Sequence, residues 1–381
     1  MTTRTLFATA LIGAASLLPA LAAADDGPAH PTLAIGAAAP DFDLPGVDGR
    51  THSLKEYAAA RALVIVFTCN HCPTAQAYEG RIQKLHDDFA AKGAALVAIS
   101  PNDPKAVRLD ELGYTDLSDS LEEMKIRARE RRFTFPYLYD GDTQAVSQLY
   151  GPTATPHAFV FDRERKLRFA GRVDDGENPA KVTVSDARNA IEAVLAGKPV
   201  SVEKTKVFGC SVKWAEKGSW LAEGERKWAQ EAVALSPIDA AGLKALAAND
   251  SAKLRVINVW ATWCGPCLVE FPDLVAVFRM YRGRGLELAT VSADPPDKSA
   301  PVLAFLKEQR ASGRNHIFEK PDPYALIDPV DPKWQGELPH TIVVAPGGRV
   351  IYRSQGAFEP LALRQAIVGY YGRYYHSVAG Q

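Results

Sequence analysis

The chain has 381 residues, of which 47% are hydrophobic, and its formal net charge is −1. Its length suggests two domains of about 150 residues each, and its hydrophobic content is enough for two ordinary cores. The near-zero charge gives no indication of a nucleic-acid partner.

The first residues have the pattern of a secretory signal peptide. Arg4 is followed by an apolar segment, and small alanines at residues 20–24 precede Asp25. A basic start, an apolar middle and small residues before a polar stretch are typical of a cleaved signal. We therefore predict a signal peptide over residues 1–24, a mature chain that begins near Ala23 or Asp25, and export. The alternative is an uncleaved N-terminal anchor, because the segment is nearly long enough to span a bilayer.

The first cysteine pair is predicted to lie between a buried strand and a helix, after a short hairpin at residues 39–54. The apolar run at residues 62–67 predicts the strand. Cys69 and Cys72 follow it at once, with His71 directly before the second cysteine. Apolar residues spaced three and four apart then mark the inner face of the helix, at Tyr78, Ile82, Leu85 and Phe89.

His71 is a candidate for stabilising the Cys69 thiolate, by its charge and by a hydrogen bond. The alternative is an exposed imidazole in the loop. We favour an influence on the thiolate, because a loop of two residues is too short to hide the imidazole from the sulfur. No acidic residue near this pair is apparent from local spacing.

A polar insert follows the next strand, which we predict over residues 94–100. The insert covers residues 101–132 and has helical character around 121–131, where we interpret the mixed charges as a solvated face. A helix over residues 184–195 is predicted to close the first domain.

Cys210 stands alone in the segment that follows, residues 205–214. One interpretation is a buried, inert cysteine, which is a common fate of free thiols. The other is a third thiol that reaches back to Cys69 or Cys72. We favour the second, because an idle thiol in an oxidising compartment is a liability.

The second cysteine pair repeats the arrangement of the first. Residues 254–260 predict a buried strand, and Cys264-Gly265-Pro266-Cys267 follows it before another helical pattern. Cys264 is therefore expected at a helix N-terminus, where free N–H groups and the helix dipole stabilise a thiolate. Cys267 is expected to be shielded one turn further in.

Glu270 lies one helical turn after Cys267, so its carboxylate can share that face of the helix and exchange protons near the thiols. The alternative is a solvent-exposed carboxylate, because glutamate is a common surface residue.

Each cysteine pair has a proline at a similar distance downstream, before an apolar strand pattern. These are Thr155-Pro156 in the first half and Leu338-Pro339 in the second. The two halves keep nearly the same spacing between their motifs, so the chain reads as a tandem repeat of one unit.

These motifs resemble those of thioredoxin-like proteins. The Cys264–Cys267 loop resembles the thioredoxin active site, and with Glu270 and Pro272 the second half resembles periplasmic reductases of the TlpA/ResA type. The Thr68-Cys69-Asn70-His71-Cys72-Pro73 run, together with the Cys210 segment, resembles a bacterial redoxin subfamily of the peroxiredoxin-like, AhpC/TSA-related branch. In such proteins a cis-proline faces the dithiol, and Pro156 and Pro339 match it by position.

The resemblance implies an α/β fold of two tandem thioredoxin-like domains, each a central mixed β-sheet flanked by helices. We expect the first domain over residues 30–214, a linker over 215–229 and the second domain over 230–381.

The resemblance also implies a periplasmic thiol–disulfide oxidoreductase with redox disulfides Cys69–Cys72 and Cys264–Cys267. In each pair the first cysteine attacks a partner disulfide and the second resolves the mixed disulfide. The backbone at Thr155-Pro156 and at Leu338-Pro339 would pair with an extended partner segment. Expected partners are protein dithiols and disulfides, with a membrane thiol reductase as a further candidate. No cofactor and no metal ion are expected.

Two other functions stay open. A thiol peroxidase would need the peroxiredoxin pattern Pro-x-x-x-Thr-x-x-Cys, which neither half has. A copper-binding redox chaperone would use thiolates and His71 or His157 as soft ligands. The copper-delivery redoxins, however, space their cysteines by three residues rather than two. A zinc site built from both pairs is disfavoured, because each pair opens its own helix.

Overall fold

The structure is a computed structural model that describes residues 30–320 and 322–375. The predicted signal peptide, and with it the predicted start of the mature chain, lies outside the described residues. No helix in the described part of the chain is long and apolar enough to cross a membrane.

The first half of the chain contains one main sheet with flanking helices. Its strands are β1 (Asp43–Pro45), β2 (Thr51–Ser53), β3 (Ala62–Phe67), β4 (Ala94–Ser100), β5 (Tyr137–Tyr139), β6 (Ala154–Thr155), β7 (His157–Phe161), β8 (Leu167–Gly171) and β9 (Cys210–Ser211). Its helices are α1 (Pro73–Ala90), α2 (Leu121–Arg131), α3 (Ala145–Tyr150), α4 (Asp186–Leu195) and α5 (Gly218–Ala229).

The second half repeats the design. Its strands are β10 (Ser236–Ile238), β11 (Leu254–Trp260), β12 (Leu286–Ser292), β13 (Arg314–Phe318), β14 (His340–Val344) and β15 (Val350–Gln355). Its helices are α6 (Ala240–Ala248), α7 (Gly265–Tyr281), α8 (Ser299–Glu308), α9 (Ile327–Val330) and α10 (Pro360–Tyr371).

The two main sheets share the order of five strands, and the second has an additional edge strand, β10. The first has the strand order β5-β4-β3-β7-β8 and the second β10-β13-β12-β11-β14-β15. In both, the strand before the cysteine pair is parallel to its neighbour on one side and antiparallel to its neighbour on the other. The predicted α/β fold with two mixed sheets flanked by helices is confirmed.

The central strands are buried along their whole length, which explains their continuous apolar sequences. All residues of β3 and β11 are buried. On one face of β3 the core includes apolar residues of α1 and α4, and on the other it includes Phe42 and Tyr150. Each cysteine pair follows the end of such a strand, so both dithiols are placed by the most rigid parts of the fold.

Three predictions about individual elements differ from the structure. The expected linker over residues 215–229 forms a 3-10 turn and the helix α5. The aromatic run over residues 369–375, whose sequence predicts a helical tail, leaves the helical path after Tyr371, because Gly372 at φ 80° ends α10. Arg127 of α2 is not on a solvated face: it is buried and lies 3.3 Å from the carboxylate of Glu79.

The two halves contact each other next to the first cysteine pair. Arg373, after α10, forms a two-pronged ion pair with the buried carboxylate of Asp116, at 2.5 and 2.7 Å. The hydroxyl of Tyr375 lies 4.0 Å from the sulfur of Cys210. The end of the second half therefore lies over the polar insert and the third thiol of the first half.

Candidate active sites

The second dithiol is at the start of α7. Cys264 is the N-cap residue, and its sulfur accepts a hydrogen bond from the backbone N–H of Cys267 at 3.3 Å. The two cysteines form a disulfide with a Cα–Cα distance of 5.3 Å. Cys267 is fully buried and Cys264 nearly so, whereas the neighbouring Trp263 is 63% exposed. The helix begins at the motif, as its apolar spacing predicts.

Glu270 lies in the core behind this disulfide. Its side chain is only 5% exposed, so the alternative of a surface carboxylate is wrong. One carboxylate oxygen accepts a hydrogen bond from the Asn258 side chain of β11, and the other accepts from the backbone N–H of Phe358, both at 2.9 Å. Burial raises the pKa of Glu270 to about 7, against these two donors, which favour the charged form. The carboxyl group can therefore gain or lose a proton near neutral pH.

The Leu338–Pro339 peptide bond beside the second site is cis. Leu338 is half-buried, and β14 begins two residues later. Among the described residues, no strand pairs with Leu338. The backbone of Leu338 thus has no strand partner in the described part of the chain, whereas the Pro339 carbonyl accepts a hydrogen bond from the N–H of Gly356 at 2.9 Å.

The histidine after each cis-proline contacts residues of its own loop. His340 bonds to Asp331 at 3.2 Å and stacks on Trp334. His157 accepts a hydrogen bond from the backbone N–H of Thr153 at 3.3 Å, and burial lowers its pKa to about 3. Both histidines serve the packing of the loops around the cis-prolines.

The first dithiol is offset by one helical turn relative to the second. Here the second cysteine, Cys72, is the N-cap of α1, and its sulfur accepts a hydrogen bond from the N–H of Ala75. Cys69, the expected thiolate, is therefore not the cap of this helix. The reason is Pro73, whose fixed φ and missing N–H suit the first position of a helix. Cys69 and Cys72 are both buried, and both carry free thiols.

His71 is held by an acid that local spacing did not reveal. Its Nδ1 lies 2.5 Å from the carboxylate of Asp119, and the same carboxylate accepts hydrogen bonds from the backbone N–H groups of Asn70 and His71 and from the side chain of Asn102. The imidazole is 1% exposed, so the exposed-loop alternative is wrong. Burial lowers the pKa of His71, but the charge of Asp119 outweighs it and the pKa is raised overall.

This environment shifts the pKa values of the two thiols in opposite directions. Burial raises the pKa of Cys69 well above its ordinary value, and the hydrogen bond to Cys72 adds to the rise. Burial acts in the same direction on Cys72, but hydrogen bonds from Cys210 and Cys69 and the charge of His71 lower its pKa well below the ordinary value. Cys72 is therefore the more acidic of the two thiols of the first site.

Cys210 does reach the first pair. The short strand β9 pairs antiparallel with β6, and Cys210 lies opposite Thr155. The N–H of Cys210 donates to the sulfur of Cys72 at 3.3 Å, and the sulfur of Cys69 lies 3.1 Å from the Thr155 hydroxyl. The edge before Pro156, which we expected to be open to a partner, is thus covered by the chain itself.

The first site also brings together potential metal ligands. Ligand atoms of Cys69, His71 and Asp119 all lie within 4.8 Å of one another, and all three residues are buried. A thiolate and an imidazole suit a soft ion. However, the imidazole and carboxylate already bond to each other, so an ion would have to compete with that bond.

Comparison with known proteins links the chain to two groups. Residues 35–170 match the AhpC/TSA family. Alkyl hydroperoxide reductase E of Mycobacterium tuberculosis is 31% identical over 173 residues, which are 42% of this chain and 99% of that protein. The thiol:disulfide interchange protein HelX of Rhodobacter capsulatus is 30% identical over 127 residues, which are 33% of this chain and 65% of HelX.

A similar solved structure is that of a hypothetical protein from Sinorhizobium meliloti 1021. It is 35% identical, covers 49% of this chain and 97% of that chain, and has a TM-score of 0.44. The chain thus spans nearly all of the reductase and of this protein, but less than two thirds of HelX.

Proposed function

This chain belongs to the AhpC/TSA family, and on that premise we propose that it is an exported, periplasmic thiol–disulfide oxidoreductase with two redox sites. The observation that carries the proposal is the second site. There a helix-capping cysteine is disulfide-bonded to a buried one, beside a carboxyl group that titrates near neutral pH and an unpaired backbone edge.

The second site performs the exchange with partner proteins. In the reducing direction the Cys264 thiolate attacks a partner disulfide, a mixed disulfide forms, and one partner sulfur leaves as a thiolate. Cys267 then loses its proton to the Glu270 carboxylate and attacks the sulfur of Cys264. The partner leaves with its second sulfur reduced, and the Cys264–Cys267 disulfide is restored.

Partner segments dock in extended form at the Leu338-Pro339 edge. An extended backbone gains main-chain hydrogen bonds at an unpaired edge, whatever its side chains. The exposed indole of Trp263, next to Cys264, offers apolar contact to the same segment. Neither contact requires a specific partner sequence, so the surface can bind several proteins. A membrane thiol reductase would dock on the same surface.

The first site is a second redox dithiol, Cys69 and Cys72, tuned by His71. Cys72 supplies the thiolate, and Cys69 closes a disulfide with it. The pairing of β9 with β6 beside it distinguishes this site from the second.

Trapping tests the proposal. Cys267→Ser removes the resolving thiol, so the reduced full-length variant should form a stable mixed disulfide with insulin through Cys264. Non-reducing electrophoresis and peptide mapping detect the adduct, and dithiothreitol should release it. Cys264→Ser is the matched control and should give no adduct mapped to this loop. Absence of a Cys264 adduct in Cys267→Ser would refute the proposed function.

Two alternatives each have one observation in their favour. The relative named alkyl hydroperoxide reductase E supports a thiol peroxidase, which consumption of hydrogen peroxide by the purified, reduced chain would establish. The Cys69, His71 and Asp119 cluster supports a copper-binding redox chaperone. Stoichiometric retention of Cu(I) against a chelator would establish that function.

A further inference from the structure

The two halves differ in what lies on the backbone beside their cis-prolines. In the second half, no strand in the described part of the chain pairs with Leu338. In the first half, β9 pairs with β6 at the equivalent place, in antiparallel register. The first site therefore holds a segment of its own chain where the second is open.

The backbone at Gly209 lies very close to the backbone of Thr155. Its φ is +135°, and a Cβ on this residue would lie 2.0 Å from the carbonyl oxygen of Thr155. A residue with a side chain could not bring the backbone this near to the cis-proline loop. The glycine lets the following cysteine, Cys210, reach the sulfur of Cys72 with its N–H.

The three thiols of the first half are arranged by depth. Cys69 and Cys72 are 2% and 0% exposed, and β9 covers the backbone edge beside them, so a disulfide of another protein cannot dock against either sulfur while β9 is in place. Cys210 packs against both and is only partly buried. The route from the buried pair to a partner passes through Cys210.

We propose that Cys210 is the internal partner of the first site: it occupies the docking edge in place of another protein and carries electrons between Cys72 and outside disulfides. This inference rests on the proposed redox function of the first pair and names the partner of that pair.

A disulfide from outside the chain is the oxidant: it is reduced to two thiols or thiolates while Cys69 and Cys72 are oxidised. Cys210 passes its proton to the Cys72 thiolate and attacks the outside disulfide, so that a mixed disulfide forms and one outside thiolate leaves. Cys72 loses a proton and attacks the sulfur of Cys210, which releases the second outside sulfur as a thiol. The Cys72–Cys210 disulfide is then attacked by Cys69. This step forms Cys69–Cys72 and returns Cys210 as a thiol.

The product of the middle step can be captured. In full-length protein with Cys264→Ser and Cys267→Ser, a further Cys69→Ser change removes the last step. Oxidation with one equivalent of glutathione disulfide should then give a peptide that links Cys72 to Cys210. Glutathione that stays on either cysteine, without this link, would overturn the proposal.

The rate of oxidation gives the second readout. In the same Cys264→Ser, Cys267→Ser background, Cys210→Ser should slow oxidation of the buried pair by glutathione disulfide at least about tenfold, because the partly exposed relay thiol is lost. Ser211→Ala changes the neighbouring exposed residue of β9 and should match the parent rate. An unfolded variant would expose its thiols and react faster, so loss of folding cannot imitate the slowing. A parent-like rate in Cys210→Ser would contradict the relay.

Gly209→Ala keeps all three cysteines and tests the docking itself. Its Cβ should push the segment away from Thr155 and slow formation of the Cys72–Cys210 link. An unchanged rate would contradict docking as the cause. All of these measurements use the first site alone, so the proposed function can fail at Cys264 while the relay succeeds, or the reverse.

Discussion

Glu270 is the residue whose environment has the clearest chemical consequence. Burial raises its pKa to about 7, so it changes charge in the range where thiol–disulfide exchange operates. We predict that Glu270→Gln lowers the rate of protein-disulfide reduction at pH 7.5 by about tenfold or more, because the base for Cys267 is lost. The rise of the wild-type rate through pH 7 should disappear in the variant. Asp273→Asn, which removes an exposed carboxylate of the same helix, is the control and should keep that rise.

The raised pKa of Glu270 also makes the stability of the folded protein depend on pH. A carboxyl group with a raised pKa in the folded protein contributes stability below its unfolded pKa, and this contribution is lost as the pH rises through the folded pKa. The wild type should therefore lose roughly 2–3 kcal/mol relative to Glu270→Gln between about pH 4.5 and pH 7. Urea denaturation at both pH values measures the difference. Parallel pH dependence of the two proteins would contradict the assignment.

His71 acts on Cys72 through its charge, which Asp119 maintains. A cation beside the thiolate stabilises the reduced form and so raises the reduction potential. His71→Gln should lower the potential of the first site by about 30 mV for each 1.4 kcal/mol of lost stabilisation. The reduction potential of the first site is measured by equilibrating full-length protein with Cys264→Ser and Cys267→Ser in glutathione buffers. His86→Gln, further along α1, is the control, and an equal shift there would argue against a local cause.

At the scale of the elements, periodicity predicted the helices and strands that carry the sites. The runs before each cysteine pair form β3 and β11, and the apolar spacing after them forms α1 and α7. These signals are local, because a strand buried on both faces reads as an apolar run and a helix shows its inner face every three or four residues.

What the sequence did not reveal depends on contacts between distant residues. Asp119 reaches His71 from a polar insert, and no local spacing connects them. The pairing of β9 with β6 joins two-residue strands, which leave no alternation to detect. The start of α1 at Pro73, in contrast, has a local signal, because proline favours the first helical position.

The segment after α10 ties the second half to the first through Arg373. Burial would raise the pKa of Asp116, but the hydrogen bonds and charge of Arg373 outweigh it and hold that pKa below its usual range. Arg373→Ala should therefore destabilise the protein by about 2–4 kcal/mol at pH 7, because it leaves a buried carboxylate unpaired. Exposed Arg349→Ala is the control for urea denaturation.

The pH dependence of that pair has the opposite sign to that of Glu270. A lowered carboxyl pKa gives stability that is present above the unfolded pKa and is lost as the pH falls through the folded value. The gap between wild type and Arg373→Ala should thus shrink in acid. A gap that is absent at pH 7 would contradict the role of the ion pair.

For the whole molecule, the two sites are expected to differ in potential. At the first site the charge of His71 and the N–H groups of Ala75 and Cys210 favour a thiolate at Cys72, whereas the second site has a proline in its loop, which stiffens it around a stable disulfide. We predict that the first site is the more oxidising, so that electrons run from the second site to the first if the two exchange. Glutathione titration of full-length Cys264→Ser/Cys267→Ser and Cys69→Ser/Cys72→Ser gives both potentials. A first site equal to or more reducing than the second would refute this order.

The division of labour between an open and a covered site is the central claim, and reduction of insulin by the full chain with dithiothreitol tests it most directly. Cys264→Ser/Cys267→Ser should lose at least about 90% of the rate, because the second site has a backbone edge at Leu338 that no strand in the described part of the chain covers. Cys69→Ser/Cys72→Ser, whose edge is covered by β9, should lose far less. A wild-type rate in the second-site variant, or a larger loss in the first-site variant, would contradict the account.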